Sequence, residues 1–136
     1  MFTTIGIRLV AGRNEYEGRI EVQYQGQWGT VCDDNFGIDD AHVACRMMGL
    51  GRAISYCGGD VCSSNGRAFA AGSGETWLDN LSCSGDERSL FDCSHNGVGV
   101  ENCGHTEDMG VVCERKKMFM IKFCVLKYQI NKGRLY

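Results

Sequence analysis

Nine cysteines dominate the chemistry that this 136-residue chain offers. Eight of them lie before residue 115, and the ninth, Cys124, stands alone near the C-terminus. Structural zinc sites favour cysteine pairs two to four residues apart. No Cys-x-x-Cys occurs, and the nearest approach runs from Cys57 to Cys62. Disulfides are therefore favoured over zinc, and the count alone leaves their connectivity open.

Catalysis by a cysteine–histidine pair would need a free thiolate in an electropositive pocket. The even number of cysteines singles out no such thiol. His95 and His105 lie in segments rich in Gly and Asn, which are typical of surface loops. Gly-x-Ser-x-Gly, His-Glu-x-x-His and phosphate-binding glycine motifs are also missing from the sequence. We therefore expect the domain not to be an enzyme.

The modest net charge of −3 conceals an uneven distribution. All 17 acidic residues lie at or before Glu114, together with only seven of the 14 basic ones, so this part carries −10. Residues 115–136 carry +7. An acidic body argues against nucleic acid as the main partner and suits cations or basic ligands.

The patterning predicts one α+β domain over 7–114 and a basic, apolar tail over 115–136. Alternation of polar and apolar residues predicts a strand over 19–24 and, after a Gln-Gly-Gln turn, a second over 28–32. Helical spacing predicts one helix over 38–49, with Asp39 or Asp40 as its N-cap. A long surface loop is expected over 51–74, with further strands over 75–81 and 110–113.

The two ends of the chain carry different expectations. Residues 1–7 lack the basic and apolar stretches of an export signal, so an exported protein with this sequence is expected to be a fragment or an incomplete gene model. The tail is expected to be a partly disordered extension. An amphipathic strand, a membrane-surface segment and the start of a truncated span remain open for it, as does the role of Cys124.

Six motifs in order carry a resemblance to a known family. They are Trp28-Gly29-Thr30-Val31-Cys32-Asp33-Asp34, Ala41-x-Val43-Ala44-Cys45-Arg46, Trp77-Leu78-Asp79-Asn80-Leu81-x-Cys83-Ser84-Gly85, Leu90-x-Asp92-Cys93, Asn102-Cys103-Gly104-His105 and Glu107-Asp108-x-Gly110-Val111-Val112-Cys113. Over about residues 7–113 the chain resembles a scavenger receptor cysteine-rich (SRCR) domain.

The resemblance implies a curved antiparallel sheet that cradles one helix and is stapled by disulfides. Carried onto this sequence, the family's pairing is Cys32–Cys103, Cys45–Cys113 and Cys83–Cys93, as in the six-cysteine subgroup. Cys57 and Cys62 are an extra pair, for which we predict a local bridge. Such cross-links stabilise a loop-rich domain mainly by restricting its unfolded chain.

The resemblance also implies binding residues. Some SRCR domains bind Ca²⁺, and the matching positions are Asp33, Asp34 and Glu107 for a first site and Asp79, Glu87 and Asn102 for a second. Oxygen ligands from separate loops suit this hard cation, which we do not expect the fold to require. Arg46, Arg52 and Arg67 are candidate ligand contacts. The sequon at Asn80 predicts a glycan that would compete with the second site.

The function implied is an extracellular ligand-binding module of a scavenger or pattern-recognition receptor, secreted or anchored at the cell surface. A bound cation would help it to hold polyanionic or protein ligands, including microbial surfaces. Two alternatives remain: an adhesion or structural module that needs no metal, and a non-catalytic domain of a multidomain extracellular enzyme. The ligand, the oligomeric state and the parent protein stay open.

Overall fold

The computed structural model describes residues 6–116, so the expectations for Cys124 and for nearly all of the tail lie outside the described residues. Within that range there are seven strands, one α-helix and two short 3₁₀ turns. The elements are β1 (Ile7–Val10), β2 (Glu17–Tyr24), β3 (Gln27–Val31), α1 (Ile38–Met47), β4 (Ala53–Gly58), β5 (Val61–Cys62), β6 (Glu75–Leu78) and β7 (Gly110–Cys113), with the 3₁₀ turns at Leu90–Asp92 and His105–Glu107.

The strands form one curled sheet in the order β5-β4-β7-β2-β3-β6, with β1 added beside β2. All pairs are antiparallel except β3 with β6, which is parallel. The long strand β2 changes partners along its length: its first residues pair with β7 and its last with β3. The predicted α+β class, a sheet with one helix, is confirmed, although the sheet is mixed.

The β2–β3 hairpin forms where the sequence predicts it. Gln25 and Gly26 both have positive φ, 49° and 81°, as a two-residue type I′ turn requires. This turn has the right-handed twist of the strands it joins, so it fixes their register.

The helix forms as predicted, but its N-cap is Gly37 rather than Asp39 or Asp40. Asp40 lies one turn into the helix, where its Oδ2 accepts a hydrogen bond of 2.7 Å from the Gly37 backbone N–H. Its Oδ1 accepts a second one of 2.7 Å from the Cys83 N–H. This buried carboxylate therefore caps the helix and also holds the loop that carries the Cys83–Cys93 disulfide.

The surface loop expected over 51–74 is partly wrong, because β4 and β5 lie inside it. In β4 the inward positions are Ala53, Ser55 and Cys57, whereas the large apolar residue Ile54 is 53% exposed. The outward position is thus more apolar than its inward neighbour Ser55, which hides the period of two. Pairing with β7 stabilises this strand despite its weak pattern.

The core lies between the sheet and α1. The structure forms the four disulfides Cys32–Cys103, Cys45–Cys113, Cys57–Cys62 and Cys83–Cys93, the same pairs that the resemblance implies and the extra local bridge. The second of these ties the helix to β7, and the third joins opposed residues of the β4–β5 hairpin. No helix in residues 6–116 is long and apolar enough to cross a membrane.

Ionic and hydrogen-bond contacts to the buried residues Glu17, Arg19 and Asp108 hold the rest of segment 51–74 against the sheet. Glu17 pairs with Arg13 and with Arg67. Arg19 donates to the Ala70 carbonyl, and the Gly72 N–H donates to Asp108 Oδ2 at 2.8 Å. The segment therefore reaches the turn that contains Glu107.

Candidate cation site

The first predicted acidic set is assembled by two segments that a disulfide joins. Asp33 and Asp34 directly follow Cys32, and Glu107 ends the 3₁₀ turn that follows Cys103. Carboxylate oxygens of Asp34 and Glu107 lie within 4.8 Å of each other and of both sulfurs of the disulfide. The cross-link thus holds these two carboxylates close together despite their distance in the sequence.

Asp33 is the most unusual member of the set, since its side chain is buried at 3% exposure. Its own backbone N–H donates to it, whereas Cys32 Sγ, 3.7 Å from Oδ1, is a disulfide sulfur with no hydrogen to donate. Among residues 6–116, no side chain and no other residue's N–H donates to it. Burial, followed by the charges of Glu107 and Asp34, raises the pKa of Asp33 to about 6.

Asp79 and Asn102, from the second predicted set, join the same patch. Asp79 is 1% exposed, and its Oδ1 accepts a hydrogen bond of 2.8 Å from the Asn80 N–H. With its side-chain amide turned to donate, Asn102 lies 3.3 Å from both Asp79 Oδ2 and Asp34 Oδ2. Burial and the neighbouring Asp34 raise the pKa of Asp79. Asp79 and Asn102 therefore form one continuous surface with the first set, joined at Asp34.

Glu87 is not part of this surface. Its carboxylate accepts hydrogen bonds from the backbone N–H of Ser84 at 2.8 Å and of Gly85 at 3.0 Å, beside the Cys83–Cys93 disulfide. These backbone donors, led by Ser84, lower the pKa of Glu87 to about 2. Glu87 thus stabilises the tight turn at Ser84 and Gly85. Its expected role beside Asp79 and Asn102 stays a prediction.

The β4–β5 hairpin adds residues that the sequence motifs did not indicate. A Cβ at Gly59 would contact Asp33 Oδ2 and would lie 3.4 Å from the Glu107 Cα, so the hairpin tip covers Asp33. The next residue, Asp60, is exposed, and its charge adds to those that raise the pKa of Asp33. The sequence feature that could have indicated these residues is the Gly-Gly-Asp stretch enclosed by the extra cysteine pair. We name Asp33, Asp34, Asp60, Asp79, Asn102 and Glu107 the carboxylate patch.

The candidate arginines fall in two places. Arg67 forms an ion pair with Glu17, and its guanidinium lies 4.9 Å from the Phe69 ring, so its side chain makes contacts within the domain. Arg46 and Arg52 line a shared groove beside α1. At the sequon, Asn80 is half-buried and its Oδ1 accepts a hydrogen bond of 2.8 Å from Asn35 Nδ2. Glycosylation there stays a prediction.

The donor set of the carboxylate patch suits a hard cation. Its ligating atoms are oxygens, and the nearby cysteines are bridged and carry no thiolate for zinc. In residues 6–116, no lysine or arginine forms an ion pair with any of its carboxylates. Charges that repel one another in this way are neutralised most directly by a bound divalent ion.

Comparison with known proteins agrees with this architecture. The sequence profile of the scavenger receptor cysteine-rich domain matches residues 10–114, and the chain belongs to this family. Lysyl oxidase homolog 2 of human is 49% identical over 120 residues, and that of mouse is 48% identical over the same length. The zebrafish protein named lysyl oxidase homolog 2A is 48% identical over 115 residues. These alignments cover 84–88% of this chain but 15% of each relative.

Two solved structures have the same fold. The third SRCR domain of murine neurotrypsin superposes with a TM-score of 0.65 at 41% identity, covering 82% of this chain and 97% of that one. The dimeric form of the SRCR domain of mouse MARCO gives a TM-score of 0.59 at 46% identity, covering 79% and 93%. The chain is therefore one SRCR unit, and it spans about 15% of the length of the lysyl oxidase homologs that it matches.

Proposed function

We propose that this domain is an extracellular, non-catalytic ligand-binding unit whose carboxylate patch holds Ca²⁺ and presents it to anionic ligands. One observation carries the proposal: carboxylate oxygens of Asp34 and Glu107 lie within 4.8 Å of each other, and the charges of both act on the buried carboxylate of Asp33. Keeping neighbouring carboxylates charged in a partly buried site is costly, and a bound cation removes that cost.

The exposed edge of the patch supports the second half of the proposal. Asp34 and Glu107 are half-buried, and the neighbouring Asn102 is exposed, so an ion held by the two carboxylates keeps a side open to solvent. A sulfate, phosphate or carboxylate of a ligand would complete its coordination. Without the ion, a body with a net charge of −10 would repel the same ligand. The cation thus provides a local positive charge on an acidic surface.

The relatives favour one kind of parent protein. Identity of 48–49% to lysyl oxidase homolog 2 across nearly the whole chain supports a multidomain extracellular protein of that type. In such a parent this unit would bind partners, and any oxidase chemistry would belong to another domain. A scavenger receptor is the second candidate, favoured by 46% identity to the SRCR domain of mouse MARCO.

Retention on immobilised dextran sulfate tests the proposed function. The oxidised domain is expected to bind in millimolar Ca²⁺ and to elute with EDTA, because the anion reaches the protein through the ion. Asp34→Asn should abolish retention. The matched control Glu15→Gln, which removes an exposed carboxylate from the turn before β2, should retain it.

Two outcomes would count against the proposal. Retention that is unchanged by EDTA would favour a module that binds without metal. Equal loss in Asp34→Asn and Glu15→Gln would show that total charge, rather than this patch, governs binding.

A further inference from the structure

A groove beside α1 carries a second arrangement of polar groups, outside the carboxylate patch. Its volume is about 490 Å³, and none of its lining residues belongs to that patch. Its charged and titratable lining residues are Asp39, His42, Arg46, Arg52, Asp86 and Glu114. The groove therefore contains both guanidinium and carboxylate groups around a histidine on the helix.

The hydrogen bonds of His42 determine which of its nitrogens carries the proton. The Ala53 backbone N–H points at His42 Nδ1 with a distance of 3.0 Å, so Nδ1 is an acceptor. In a neutral imidazole the hydrogen must then be on Nε2. Burial, followed by the charge of Arg52, lowers the pKa of His42, which favours this neutral form against the opposing charges of Asp39 and Glu114.

This protonation state leaves two donors facing each other. Arg52 Nη2 lies 3.2 Å from His42 Nε2, and a guanidinium nitrogen can only donate. An Nε2–H cannot accept from it. Two N–H groups this close are satisfied together when one acceptor atom lies beside the pair, within hydrogen-bond distance of both nitrogens, and takes a hydrogen from each.

The described part of the protein supplies no such acceptor. Within residues 6–116, Arg52 forms no ion pair, and its guanidinium lies at hydrogen-bond distance from His42 alone. Arg46, on the same groove, donates to the Glu87 carbonyl and also forms no ion pair in that range. The groove thus presents converging hydrogen-bond donors that are available to a ligand.

We infer that His42 and Arg52 form a binding site for a single carboxylate of a peptide ligand. The acidic residues that line the groove indicate what surrounds this carboxylate in the ligand. Asp39, Asp86 and Glu114 would repel a polyanion and attract cations. The ligand is therefore an acidic side chain flanked by basic residues in a protein segment. One carboxylate oxygen accepts from Nε2–H of His42 and from Arg52, while the flanking ammonium groups face the acidic rim.

The peptide acetyl-Lys-Glu-Lys-amide is the probe, and acetyl-Lys-Gln-Lys-amide is its matched control. Both are titrated by calorimetry into the oxidised full chain in EDTA, so that the carboxylate patch holds no divalent ion. The Glu peptide is expected to bind at least about tenfold more tightly than the Gln peptide. Arg52→Gln should remove that difference. Arg88→Gln, which changes an exposed arginine outside the groove, should preserve it.

The pKa of His42, followed by NMR of its ring, gives a second readout that needs no variant. Binding of the Glu peptide is expected to raise this pKa, because a carboxylate beside Nε2 stabilises the imidazolium. His95, which lies outside the groove, should not respond. Equal affinity for the two peptides, or an unchanged His42 pKa at saturation, would overturn the inference. Neither result would bear on Ca²⁺ binding at the carboxylate patch.

Discussion

Replacing Glu17 by glutamine tests how the long segment is held beside the cation site. The side chain of Glu17 is 3% exposed, and its Oε2 accepts a hydrogen bond of 2.9 Å from the Arg13 N–H. Arg13 and Arg67 add charged contacts from two different loops. The backbone and side-chain hydrogen bonds from Arg13 lower the pKa of Glu17 from 4.5 to about 2.

That pKa sets the size and the pH range of the effect. The difference between 4.5 and about 2 converts to a ceiling of about 3 kcal/mol for the charged form. Because Arg13 is 74% exposed and Arg67 45% exposed, solvent screening reduces the expected loss in Glu17→Gln to about 1–2 kcal/mol at pH 7. A depressed pKa stabilises the fold above pH 4.5, and this contribution is lost as the pH falls towards 2.

Urea denaturation of both proteins with disulfides intact, repeated between pH 7 and pH 2, measures the effect. The free energies of unfolding should differ at pH 7 and converge near pH 2, where the protonated Glu17 resembles glutamine in shape and charge. A difference that persists at pH 2 would show that the loss comes from packing. No difference at pH 7 would refute the argument from the ion pairs.

Three further predictions concern the hairpin, the disulfides and the core. Gly59→Ala should weaken Ca²⁺ binding at least about tenfold in calorimetry, because φ at this position is +56° and the added Cβ would contact Asp33. The control is Gly26→Ala, where φ is +81° and the space around the residue is open; this variant should bind Ca²⁺ normally. Replacing both cysteines of a disulfide by serine should lower the free energy of unfolding by about 4 kcal/mol for Cys45–Cys113 and about 2 kcal/mol for Cys57–Cys62, because the first bridge closes a much longer loop. Equal losses for the two bridges would contradict this explanation. Leu81→Ala, at a fully buried position, should cost about 2–5 kcal/mol in the same urea titration, and a cost below about 1 kcal/mol would mean that Leu81 is not packed as described.

Local chemistry made much of the fold predictable. The Gln-Gly turn, the alternation in β2 and the helical spacing around Cys45 each have a short-range physical cause, and each produced the expected element. β4 was missed because it faces Ser55 inward and Ile54 outward. Its stability comes from pairing with β7, more than 50 residues away, which no local pattern reports.

The candidate site likewise contains some residues that the sequence indicated and others that depend on distant contacts. Asp33, Asp34 and Glu107 were indicated by motifs, and one disulfide brings their segments together. Glu87 was assigned to the second set by the resemblance; its carboxylate accepts hydrogen bonds from two backbone N–H groups of a turn, and its role as a ligand stays a prediction. The position of Asp60 near Asp33 and the contact between His42 and Arg52 depend on how separate segments pack. The sequence alone therefore does not indicate them.

Calorimetric titration of the oxidised domain with Ca²⁺ at pH 7 tests the central claim most directly. We expect saturable heat from one or two ions with a dissociation constant of about 10⁻⁴–10⁻³ M, as in other extracellular calcium modules. Asp34→Asn should lose this heat, because Asp34 is shared by both halves of the patch, whereas Glu15→Gln should keep it. An absence of saturable heat in the unaltered domain, or an Asp34→Asn variant that binds as tightly, would contradict the account.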